Sequence, residues 1–76
     1  MMKQTEFCEY VSQYRKQLYV IAYAILENEM DAEDAVCNAI LKAYEHLNQL
    51  KKTQKIKSWL ITITKNEALK LRPAGK

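Results

Sequence analysis

The chain has one glycine and one proline in 76 residues, and both, Gly75 and Pro73, fall within its last four positions. These two residue types supply the special backbone angles that tight turns need. Without them there are few places for one strand to turn back on another, so a multi-strand β fold is disfavoured and long helices are expected. The length leaves room for one domain. A chain this short buries only about 60% of its unfolded surface, so the core must be compact. Charged residues make up 28% and hydrophobic residues 49%, which excludes a collagenous, low-complexity or disordered chain.

Phe7, Val11, Tyr14, Leu18, Ile21 and Ile25 alternate at spacings of four and three, predicting a first helix from about Thr5 to Leu26. Tyr10, Tyr19 and Tyr23 widen its apolar surface and are expected at the edge of the core. Asn28 is expected to close this helix in the left-handed conformation. Asp31 then reads as the N-cap of a second helix, with Glu33 and Asp34 as first-turn acids. Its apolar side holds Ala32, Ala35, Val36, Ala39, Ile40, Ala43, Tyr44 and Leu47, small enough at alternate positions to admit another helix closely. The period fails over Asn48–Gln54, which reads as a polar loop. A third helix is expected to start near Thr53 as N-cap, carry Ile56, Trp59, Leu60, Ile63 and Leu71 on one side, and stop at Pro73. Ile61-Thr62-Ile63-Thr64 alternates like a strand, but a strand alone has no partner, so helix is retained. The expectation is an all-α fold: a compact bundle of three main helices over residues 1–72, with room for an extra short turn in the 48–55 loop. Residues 73–76 read as the start of a linker or the end of the chain.

The longest apolar run, Leu18 to Leu26, is far short of the ~20 residues that span a bilayer, and its flanks do not fit a secretory signal. Cys8 and Cys37 form no CxxC pair, and His46 is the one histidine. No zinc spacing or disulfide framework results, and the expectation is two reduced thiols in a cytoplasmic protein. There is no catalytic constellation, phosphate loop or metal cluster in the sequence, so neither an enzyme nor a cofactor is expected.

The net charge of +3 hides an asymmetry: residues 1–46 carry four cations against eight acids, and residues 47–76 carry eight cations against Glu67 alone. The halves therefore stand at −4 and +7, which suggests two surfaces with different partners. On the second helix, opposite the apolar side, Asp34, Cys37, Asn38, Leu41 and Glu45 share a stripe. Leu41 in its middle is either an ordinary exposed leucine or the apolar centre of a docking patch with a polar rim. In the basic half, Lys51, Lys52, Lys55, Lys57, Lys65, Lys70 and Arg72 are interleaved with Asn48, Trp59 and Asn66. Cations meet phosphates, an indole offers a stacking face and an amide can pair with a base edge. The plainer alternatives are a solvated lysine face and a core tryptophan.

The segments DAEDAVCNAILKAYEHL and KIKSWLITITKNEALKLR, with QLYVIAYAIL before them, resemble the promoter-opening domain (region 2) of bacterial extracytoplasmic-function sigma factors over roughly residues 6–72. The resemblance implies a helical bundle with two working surfaces. One is the exposed face of the second helix, which in the family docks on the clamp helices of the RNA polymerase β′ subunit. It would carry Asp34, Cys37, Asn38 and Leu41, with Glu45 at the rim. The other is the loop and last helix, which engage the promoter −10 element, partly single-stranded. By position Asn48, Lys51, Lys52, Lys55, Lys57, Trp59, Lys65 and Asn66 would serve there. The family usually has Gln-Glu in place of Cys37-Asn38, phenylalanine at 56, tyrosine at 61, arginine at 62 and aspartate at 70. The resemblance therefore implies a transcription initiation module, with an anti-sigma factor as a further partner. The alternative from another class is a protein-interaction domain, bound by such a regulator and without DNA binding of its own.

Overall fold

The computed structural model describes residues 3–50 and 55–72, and every regular element in them is helical. Helix α1 runs Gln4–Leu26, α2 runs Glu29–Glu45, a 3₁₀ turn spans Leu47–Gln49, and α3 runs Ile56–Leu71. Each of the three helices packs on both others, so the core is one seam along the bundle axis. The expected all-α bundle is what forms, and its extra short turn starts one residue ahead of the 48–55 loop.

Helix α1 starts where the Glu6 carboxylate accepts the Lys3 backbone N–H at 3.0 Å, satisfying one orphan donor of the first turn. Its fully buried line is Phe7, Leu18, Ala22 and Leu26, with Val11 and Tyr14 half-buried between. A seven-residue repeat drifts by ~20° per heptad on a straight helix. The core line therefore passes from the expected Ile21 and Ile25 to their neighbours Ala22 and Leu26, leaving both isoleucines half-buried.

The junction between α1 and α2 departs from expectation. Glu27, not Asn28, takes the left-handed conformation, at φ 53° and ψ 33°, and its N–H donates to the Tyr23 carbonyl at 2.7 Å. Asn28 is extended and caps α2, its Oδ1 accepting the Asp31 N–H at 2.9 Å. Asp31 is thus inside the first turn rather than the cap. Only two residues separate the helices, and the better N-cap acceptor of the two, the asparagine, is used for α2. The left-handed turn falls on Glu27, at a cost of roughly 1–2 kcal/mol for a residue with a Cβ.

In α2, Ala32, Ala35, Val36, Ala39 and Ala43 are buried, as the small-residue pattern requires. In α3 the buried set is Ile56, Leu60, Thr64, Glu67 and Ala68. Trp59 and Ile63 are half-buried, and Leu71 is exposed rather than on the apolar side. The strand-like ITIT run is helical, and Thr64 Oγ1 donates to the Leu60 carbonyl at 2.8 Å, which satisfies a fully buried hydroxyl within its own helix. The expected N-cap, Thr53, lies outside the described residues.

Candidate docking and nucleic-acid surfaces

Asp34, Cys37, Asn38, Leu41 and Glu45 are all exposed on the outer face of α2. Leu41 is 58% exposed, and Met30, also on α2, is 77% exposed. Eleven residues are about three helical turns, so Met30 lies on the same stripe as Leu41, roughly 16 Å toward the N-terminus. The sequence reading missed Met30 and Tyr44. Met30 was legible from its spacing alone. Tyr44 meets Phe7 across the seam, with ring centroids 5.9 Å apart, as its place on the apolar side implies, yet 44% of it remains exposed beside Leu41.

Beside this stripe an open groove of about 400 Å³ runs between α1 and α2, lined by residues that include Phe7, Ile40, Leu41, Tyr44 and both cysteines. Arg15 Nη2 donates to Cys37 Sγ at 3.8 Å. The cysteines are free and exposed. The register that sets Phe7 beside Tyr44 and Arg15 beside Cys37 puts Cys8 two turns, or ~10 Å, along the groove from Cys37, beyond disulfide reach.

The basic residues are less unified. Asn48 is exposed in the 3₁₀ turn, which the Gln49 amide braces by donating to His46 Nδ1 at 3.3 Å. Lys51 and Lys52 lie outside the described residues. Lys55 and Lys57 are exposed at the start of α3, and Lys57 Nζ stands 5.8 Å from the centroid of the Tyr14 ring on α1. Trp59 is half-buried against the core, so its indole is partly spent on packing. Lys65 and Asn66 are exposed further along α3. Nine residues at 100° put Asn66 about half a turn round the helix from Lys57, in a cleft with Lys42, Ile63, Glu67, Leu69 and Lys70. The structure therefore groups Lys55 and Lys57 at the start of α3, sets Asn66 on its α2 side, and leaves Asn48 in the 3₁₀ turn, which packs on α2.

Glu67 sits in that cleft with 11% of its side chain exposed, and Lys42 and Lys70 both reach its Oε2 at 3.1 Å. The Lys42 hydrogen bond holds the carboxyl below its usual range against the upward push of burial, and Lys70 adds to the effect. Lys70 is thereby engaged with Glu67.

Among the described residues no group of three or more His, Cys, Asp or Glu could hold a metal ion, and no helix is long and apolar enough to cross a membrane. What the fold presents is an acidic, leucine-centred helix face and a separate basic helix start, on a bundle whose sequence belongs to a known class. Residues 10–72 match the family Sigma-70 region 2, and the chain belongs to that family. The ECF RNA polymerase sigma factor SigW of Bacillus subtilis (strain 168) is 30% identical over 63 residues, covering 83% of this chain. That likeness supports the extracytoplasmic-function type. The chain spans about a third of SigW, 34% of its length. No solved structure gives a significant match.

Proposed function

We propose that this chain is the part of a sigma factor that joins core RNA polymerase to promoter DNA during transcription initiation, without enzymatic activity of its own. The observation that carries the reading is Leu41, a large apolar side chain 58% exposed on α2, at the centre of a rim formed by Asp34, Cys37, Asn38 and Glu45. On a Sigma-70 region 2 chain, that patch has the composition of an interface core with a polar border. Its occupant in this reading is the pair of clamp helices of the β′ subunit. Residues 1–72 form the working unit. The loop lysines Lys51, Lys52, Lys55 and Lys57 track phosphates of the −10 element, while Asn48 and its neighbours read a base that has left the stack. Lys65 adds a phosphate contact along α3, and Asn66 reaches only nucleotides that pass over the α2 side.

The test is fluorescence anisotropy with single-stranded −10-like oligonucleotides across a salt series. Three or four lysines engaged on single-stranded DNA give a log–log slope near −2 to −3, at about −0.7 per phosphate. The competing reading, a domain that only binds protein partners such as an anti-sigma factor, draws on the altered pair Cys37-Asn38. It predicts no salt-dependent binding even at low ionic strength, and that result would remove the DNA role from the isolated chain.

A further inference from the structure

The start of α3 meets the middle of α1, and the contact is aromatic and cationic. Tyr10 and Tyr14, one turn apart on α1, hold their rings within 8° of parallel with centroids 6.3 Å apart. That separation is too large for full face-to-face overlap at ~3.5–4 Å, so the rings form a stepped shelf and do not cover one another. Both tyrosines are half-buried, part of each packed on the core, which fixes them, while Lys57 beside them is exposed. Lys57 rests over the Tyr14 ring at 5.8 Å, close to the limit for a cation–aromatic attraction and at a solvent-open site where it is weak. A flexible ammonium leaves such a position readily, whereas a base stacked on an aromatic side chain gains more.

We propose that the Tyr10–Tyr14 shelf binds an unpaired nucleobase, with Lys57 turning from the Tyr14 ring to the phosphate of the same nucleotide. The inference rests on the DNA-binding reading above and extends its surface from the loop and α3 onto α1. Lys55, exposed two residues before Lys57, offers a second cation at the same end of α3. The ligand is single-stranded nucleic acid, since only an unpaired base exposes a face to the shelf.

The test compares two labelled oligonucleotides of equal length at low salt, one with bases and one with abasic sites throughout. The wild-type chain binds the first more tightly than the second. Tyr14→Phe retains that ratio and Tyr14→Leu cuts it at least about fivefold, the low end for one stacked base. Lys57→Gln weakens both oligonucleotides alike and flattens the salt slope by about 0.7. A folded Tyr14→Leu chain, judged by circular dichroism, with the wild-type ratio intact overturns the shelf and leaves the DNA reading standing. A wild-type chain that binds neither oligonucleotide overturns that reading and the shelf with it. If Tyr14→Leu does not fold, the wild-type chain decides: a stacked base moves the ring-proton NMR signals of Tyr10 and Tyr14, and saturation without such shifts overturns the proposal.

Discussion

Truncating Leu41 tests the docking face with a magnitude that follows from its exposure. Burying a whole leucine side chain is worth about 1.5–3 kcal/mol. With 58% of Leu41 still exposed, a partner that covers it gains roughly 1–1.7 kcal/mol, or about 5–15-fold in Kd. Leu41→Ala should lose most of that. Leu41→Arg should lose more, because the interface must then also desolvate a guanidinium. Neither change should alter folding by more than about 0.5 kcal/mol, since Leu41 is not part of the buried core. The matched control is Val20, 59% exposed on α1, where Val20→Ala removes apolar surface of similar exposure from a different helix. Binding is read by titrating the labelled β′ clamp helices with each variant, and folding by urea unfolding of the same samples. The reasoning fails if Leu41→Ala binds like wild type. It also fails if Val20→Ala weakens binding equally, because the loss would then reflect general surface hydrophobicity and not an anchor.

Asn28→Ala should cost ~1 kcal/mol, about 4–8 °C in Tm for a domain this small, because the Asp31 N–H loses its acceptor; thermal unfolding by circular dichroism checks it. Ala35→Leu pushes extra methylenes into a fully buried position on α2 and should destabilise by ~1–3 kcal/mol, read from the urea midpoint. For Glu67, the lysine hydrogen bonds lower the folded pKa relative to the unfolded chain, where a glutamate titrates near ~4.3. The stabilisation is therefore present above that value and lost as the pH falls through the folded pKa. Urea unfolding of wild type and Glu67→Gln from neutral to acid pH should give a gap that closes in acid. A gap constant down to pH ~3 would mean that the charge on Glu67 contributes nothing.

The helix spans and the small-residue seam of α2 were legible because periodicity and alanine content survive any tertiary arrangement. The junction was not. Asn28 and Asp31 are both good caps by residue type, and the choice between them depends on how few residues separate two packed helices. The buried Thr64 and Glu67 were hidden for a different reason. Each is polar, and each becomes burial-competent only through a partner, a carbonyl four residues back for Thr64 and two lysines for Glu67. Spacing on a helical wheel located the exposed stripe correctly but could not report that Tyr44 leans out beside it. Similarly, a count of cations predicted one basic surface, whereas the side-chain partners divide it between two sides of α3.

The charge division along the chain has two exceptions that matter to the fold. Lys42 is one of only four cations in residues 1–46, and Glu67 is the single acid in residues 47–76. These two pair with each other at 3.1 Å across the α2–α3 interface. One cation of the first half and the one acid of the second thus meet where the halves touch, while Lys3, Arg15 and Lys16 remain exposed. Acids then surround Leu41 with few cations of their own helix to neutralise them, and Lys55 and Lys57 face solvent with no carboxylate bonded to either among the described residues. With Lys42 half-buried and the Glu67 side chain 11% exposed, the contribution of this pair to stability is what the Glu67→Gln pH series reads. The pair also fixes the orientation of α3 against α2. Exchanging the pair, as Lys42→Glu with Glu67→Lys, alters the net charge of neither the chain nor the cleft, but it sets the new lysine beside Lys70 and the new glutamate near Glu45, so the urea midpoint should fall. It should retain the fold while moving a negative charge toward the docking helix and a positive charge onto α3. If the sign of each surface governs partner choice, the exchanged chain, checked as folded by circular dichroism, should bind single-stranded DNA with a steeper salt dependence. An unchanged slope would mean that the lysines at the start of α3 act locally and the wider charge division is incidental.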